Sequence, residues 1–135
     1  MKTLQEIMDT MTLHMLQQGK KSVEYVADIK TPQCKYRTRS GLKCAVGALI
    51  PDELYSEKLE GNCSSGPRVT KILLLAGIPE DLIIFDTLEN FQKIHDTLEP
   101  WQWPMHLLNQ YTSAKLDAPE RLYEVLAQYN MAPIV

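Results

Sequence analysis

Five stretches of this chain carry apolar residues at helical spacing, and proline or glycine separates each from the next. That punctuated pattern constrains the fold to helices that pack by one apolar face. Residues 3–18 open with Thr3-Leu4-Gln5-Glu6, a capping box in which Thr3 and Glu6 satisfy each other's backbone N–H groups. Leu4, Ile7, Met8, Met11 and Met15 then form one stripe, and Gly19 suits the left-handed position that ends a helix. Pro67 starts a second helix whose body, Ile72–Ala76, is apolar on every side, so it is expected to be central, with Leu74 in the core. Gly77 and Pro79 stop it. A third helix is expected over Pro79–Leu98, with Ile84, Leu88, Phe91, Ile94 and Leu98 inward. A fourth follows over Pro104–Ala114. The last opens at Asp117-Ala118-Pro119-Glu120 and is lined by Leu122, Val125, Leu126 and Tyr129.

Two segments lack that period. Ser22–Ala27 could extend a helix or form a short strand, and Pro32 breaks regular structure. Cys34-Lys35-Tyr36-Arg37 alternates, and Arg39-Ser40-Gly41 signals a turn, so a short hairpin is expected around Thr38–Gly41. Leu42–Pro51 fits a buried strand or a short buried helix. The reading favours a helix opening near Cys44, with Cys44, Gly47 and Ala48 as a small-residue face and Val46, Leu49 and Ile50 on the other. Pro51-Asp52-Glu53 suits the first turn of another short helix. Gly61–Gly66 reads as a loop. The whole is mainly α: a compact single-domain helical bundle of five to six helices over residues 1–135, with a small β-hairpin, hence an α+β arrangement.

Composition narrows the class. Apolar residues make up 44% and charged residues 23%, which excludes a wholly disordered chain. The longest apolar runs, Cys44–Ile50 and Ile72–Ala76, fall far short of the ~20 residues of a membrane span. Glu6 and Asp9 interrupt any signal-peptide core, and three cysteines cannot all pair internally, so a reducing cytoplasm is expected.

The net charge of −3 is unevenly spread. Residues 20–43 hold Lys20, Lys21, Lys30, Lys35, Arg37, Arg39 and Lys43 against Glu24 and Asp28, whereas the rest is acidic. Such asymmetry points to an anionic partner, and a net acidic chain disfavours general nucleic-acid binding. Tyr36, Arg37, Arg39, Lys43 and Tyr55 are therefore the candidate binding residues. Arginine offers a planar fork to carboxylate or phosphate, and the tyrosines offer stacking faces. If the arginines are instead structural, the acids of Asp52–Glu60 are their partners.

The chemistry of catalysis is only partly represented. Cys44, at a helix start beside Lys43, could be a thiolate nucleophile, with His95 as its base and Asp96 as the orienter. The competing reading is a buried packing cysteine. Cys34, Cys44 and Cys63, with His14, His95 and His106, lack metal-ligand spacing, so no metal and no cofactor are expected. Ser65 in Gly61–Arg68 reads as a helix cap or turn residue rather than part of a phosphate loop. Trp101 and Trp103, between Pro100 and Pro104, are candidates for a recognition surface and for a homodimer contact.

The run Cys34-x-Tyr36-Arg37…Gly41-Leu42-Lys43-Cys44-Ala45-Val46-Gly47-Ala48-Leu49-Ile50-Pro51-Asp52-Glu53-x-Tyr55…Glu60-Gly61 resembles a pattern in an uncharacterised family of small proteins of bacteria and their phages. Phe91–Asp96 resembles a second signature of that group. The resemblance implies a helical phage or mobile-element accessory protein and transfers no catalytic residue. Together these readings predict a non-enzymatic, cytoplasmic interaction protein that binds a host protein or small anionic ligand through the basic hairpin. The alternatives are a cysteine-dependent enzyme and a nucleic-acid-binding protein.

Overall fold

Helices form where the apolar stripes lie. The computed structural model describes residues 1–24, 33–62 and 65–130. The expectations for Tyr25–Ala27, Pro32 and Cys63 fall outside the described residues, as does the Tyr129 side chain. Helix α1 spans Leu4–Gln18, with the Thr3/Glu6 capping box formed and Gly19 left-handed at φ 64°. Its stripe of Ile7, Met8, Met11 and Met15 is buried. Helix α3 (Leu82–Thr97) starts at Asp81, whose side chain accepts from the Ile84 N–H, and buries Ile84, Leu88, Phe91 and Ile94. Helix α4 (Trp103–Ala114) buries Trp103, Leu107 and Tyr111. Helix α5 spans Glu120–Asn130, with Leu122 buried. One apolar core runs from Ile7 to Leu122, with α1 packed against α3 and α5, and α4 against α3 and α5. Among the described residues no helix is long and apolar enough to cross a membrane.

Helix α2 (Pro67–Leu75) corrects one expectation. Val69 and Leu73 are buried, whereas Leu74 is 37% and Leu75 63% exposed. Five apolar residues in a row hide the phase of a helix. The positions four apart, Val69 and Leu73, turn fully to the core and Ile72 packs at its edge, while Arg68, Lys71 and Leu75 share the outer face. The two tryptophans also divide. Trp103 is 1% exposed and donates its indole N–H to the Leu98 carbonyl at 3.2 Å, whereas Trp101 is 67% exposed.

The strand content is small. β1 (Val23–Glu24) pairs antiparallel with β2 (Gln33–Cys34), Val23 opposite Cys34 and Glu24 opposite Gln33. The expected hairpin turn follows: Arg37 bridges Lys43 in antiparallel register, and the Thr38 N–H donates to the Leu42 carbonyl at 2.9 Å. The expected helix at Cys44 is instead a single 3-10 turn, Gly47–Leu49, and two more such turns cover Asp52–Leu54 and Glu57–Leu59. Cys44–Gly47, Leu49 and Ile50 are all buried, so the segment has no two opposed faces. Gly47 does allow the close approach its small size suggests: a Cβ there would overlap the Tyr36 carbonyl oxygen.

Candidate functional site

The basic hairpin is built, but much of its polar chemistry is turned inward. The Arg37 guanidinium donates to the Ile50 carbonyl at 2.7 Å, pairs with Asp52 at 2.7 Å, and lies 4.8 Å from the centre of the Tyr55 ring. Glu60 closes the arrangement. Its two carboxylate oxygens accept the backbone N–H groups of Tyr36 (2.9 Å) and Arg37 (3.1 Å), and one of them accepts the Tyr55 hydroxyl at 2.6 Å. Burial, and then the hydrogen bond to Glu60, push the Tyr55 hydroxyl pKa up. The Tyr36 hydroxyl donates to the Asn62 carbonyl at 2.5 Å. Tyr36, Arg37 and Tyr55 are thus brought together as a clasp that fastens the hairpin to residues 50–62. The acids of Asp52–Glu60 are its partners, and the expected role of Arg37 as an exposed anion contact is corrected.

From the other side, α1 holds the hairpin by the backbone of Lys43. Gln18 accepts the Lys43 N–H at 2.9 Å and donates to its carbonyl at 2.8 Å, and His14 Nε2 donates to the same carbonyl at 2.8 Å. Desolvation lowers the His14 pKa below 6.5, and the Lys43 charge adds to that. The Lys43 ammonium lies 3.9 Å from Asp52. Arg39 sits at the turn, exposed; its backbone N–H donates to the Glu24 carboxylate. The Arg39 guanidinium and the Lys35 ammonium have no partner among the described residues.

The groups of the catalytic alternative are buried and engaged in structural contacts. Cys44 is 1% exposed, and burial pushes its thiol up to about 12, so the nucleophilic thiolate is absent at neutral pH. The Gly47 N–H points at its sulfur at 3.2 Å, but a single 3-10 turn supplies little dipole. His95 and Asp96 do pair, Nδ1 to carboxylate at 2.8 Å. The other ring nitrogen, Nε2, accepts the Ser22 backbone N–H at 3.1 Å, and the fully buried ring stacks on Trp103. With Nε2 accepting, Nδ1 carries the proton, and neither nitrogen is free to act as a base. The Cys44–His95 pairing is therefore corrected: His95 is a structural residue that ties α3 to the start of β1 and to α4.

A cleft of about 510 Å³ lies between the foot of the hairpin and α3. From α3 it takes Glu89, Gln92, Lys93 and Asp96, one helical face at spacings of three, four and seven. Inside it Gln92 accepts the Val46 N–H at 3.1 Å and donates to Asp96 at 2.9 Å. Cys34 faces the same space, its thiol pushed up by burial and then by the Asp96 carboxylate to which it hydrogen-bonds. Gln92, Lys93 and Asp96 fall within the Phe91–Asp96 signature, but their place beside the hairpin and the addition of Glu89 were not read from the sequence, although the polar residues between the inward Leu88, Phe91 and Ile94 carry that spacing. Among the described residues no three His, Cys, Asp or Glu side chains come together to hold a metal ion. Comparison with family models, with curated proteins and with solved structures finds no match for this chain.

Proposed function

We propose that this chain is a binding protein rather than a catalyst, and that its basic hairpin edge takes an acidic segment of a partner protein. The observation that carries this reading is the local charge balance. Lys20, Lys21, Lys35, Arg37, Arg39 and Lys43 lie within residues 20–43, and the acids that meet this segment are already engaged: Glu60 in the clasp, Asp52 with Arg37 and Lys43, Glu24 with the Arg39 backbone and Glu99 with Lys21. The exposed Arg39 has no ion-pair partner among the described residues and is left to meet carboxylates from outside. Arg37 supports the surface by fixing the hairpin on Ile50 and Asp52. An accessory role in a phage or other mobile element fits the resemblance of the Cys34–Gly61 motif. A reducing cytoplasm fits the free Cys34 and Cys44 thiols.

The test is capture from bacterial lysate by the wild-type chain and by a Lys35→Ser/Arg39→Ser variant, with the captured proteins identified by mass spectrometry. Neither side chain makes one of the clasp's hydrogen bonds or ion pairs, so the variant keeps the wild-type melting temperature. The reading expects an acidic protein that is captured by the wild type, lost with the variant, and released as salt rises. Capture that is equal for both chains, or indifferent to salt, overturns it.

A further inference from the structure

We propose that the cleft between the hairpin foot and α3 is a binding site for a small amphoteric ligand of the acidic amino-acid class, with two carboxylates and one ammonium. The space measures about 510 Å³, within the roughly 300–1,000 Å³ of ordinary small-molecule sites. Most of its polar groups are engaged by the fold. Glu60 is met by three donors, the Tyr36 and Arg37 N–H groups and the Tyr55 hydroxyl. Asp96 is also met by three, from His95, Gln92 and Cys34. The Gln92 oxygen accepts the Val46 N–H, and the Tyr36 hydroxyl donates to the Asn62 carbonyl.

Three charged side chains that line the cleft are left. Glu89 and Lys93 are exposed on one face of α3, one helical turn apart, and they do not pair with each other. Lys35 lines the cleft from the hairpin side. None of the three has a partner for its charged group among the described residues. Two free cations and one free anion call for a ligand of the opposite make-up: a carboxylate for each lysine and an ammonium for Glu89. A dicarboxylate without an ammonium would leave Glu89 facing like charge, and a diamine would face both lysines. The length agrees. Glu89 to Asp96 is about 10 Å along α3 at ~1.5 Å per residue, and an extended dipeptide spans about 7 Å. A free amino acid and a short acidic peptide present the same groups, and the probes separate them. The site lies beside the Arg39 surface and shares Lys35 with it, so the test rests on Glu89 and Lys93.

Isothermal titration of the full chain with L-glutamate and with the dipeptide alanyl-glutamate should give saturable binding, and the tighter of the two identifies the source as free amino acid or peptide. Glutarate, which lacks the ammonium, should bind several-fold more weakly. Glu89→Gln should erase that preference, and Lys93→Gln should weaken the amphoteric probe several-fold. Lys58→Gln, an exposed lysine outside the cleft, should change nothing. Glu89 and Lys93 are exposed, so their variants keep the wild-type melting temperature. No saturable binding of either amphoteric probe overturns the proposal. So does glutarate that binds as tightly, a preference that survives Glu89→Gln, or a Lys58→Gln loss equal to that of Lys93→Gln. Arg39→Ser, outside the cleft, should leave the titration unchanged whether or not partner capture is lost, so this site and the hairpin surface fail separately.

Discussion

Met11 and Tyr36 are both buried, yet the reasons differ, and the difference separates two regions of the molecule. Met11 belongs to the frame of α1, α3 and α4, where each helix supplies its own backbone hydrogen bonds and buries a stripe of apolar side chains. The segment Lys35–Asn62 has only short 3-10 turns and a single bridge, so several of its backbone groups find side-chain partners instead. A few polar side chains provide them: Glu60 for Tyr36 and Arg37, Gln18 and His14 for Lys43, Gln92 for Val46, and Arg37 for Ile50. In the frame, stability is spread over many contacts. In the segment it is concentrated in named atoms, and those atoms are why the motif residues are tyrosine, arginine, glycine and glutamate.

The comparison can be broken most forcefully at the frame. Trp103→Ala removes a buried ring that stacks on His95 at 5.3 Å and should cost about 3–5 kcal/mol, read by urea unfolding. A loss below about 1 kcal/mol would mean the frame does not depend on its largest buried side chain. Neighbouring leucines on α2 sharpen the same point: Leu73→Ala should cost about 2–4 kcal/mol and Leu74→Ala less than about 1, because only Leu73 is fully enclosed. Equal losses would contradict the assigned face of the helix.

The smallest expected effect lies where the two regions meet. The folded state holds the His14 imidazole neutral, with its pKa below the 6.5 of the unfolded chain. The unfolded chain therefore binds the proton more readily. The stability that His14 contributes is complete above pH 6.5 and is lost as pH falls below it. His14→Gln, which can still donate to the Lys43 carbonyl, should flatten part of the decline between neutral and mildly acidic pH, by less than about 1 kcal/mol. An unchanged pH profile would remove His14 from the account.

The frame was legible because helical periodicity is a local property: the Thr3 capping box, Gly19 and the stripe of Ile7, Met8, Met11 and Met15 lie within one stretch of chain. Leu74 was misplaced because Ile72–Leu75 is uniformly apolar and carries no phase. The clasp was harder. Glu60 lies 24 residues from Tyr36, and Gln92 lies 46 from Val46, so nothing local marks them as partners. Cys44 and His95 are ordinary candidates for catalysis by residue type. Burial of the thiol and the Ser22 N–H on the imidazole are tertiary facts that no spacing reveals. The hairpin turn was visible from Arg39-Ser40-Gly41, but the inward commitment of Arg37 depends on Ile50 and Asp52.

The central claim is that residues 34–62 are held by a few side-chain-to-backbone bonds rather than by regular structure, and native-state hydrogen exchange in Glu60→Gln tests it most directly. The amide side chain leaves one oxygen to accept from two backbone N–H groups and the Tyr55 hydroxyl. Protection at the Tyr36 and Arg37 amides should fall about tenfold or more, since an unsatisfied buried donor costs about 1–3 kcal/mol, while Met11 and Phe91 keep their protection. Unchanged exchange at Tyr36 and Arg37, or an equal loss across α1 and α3, would contradict the account.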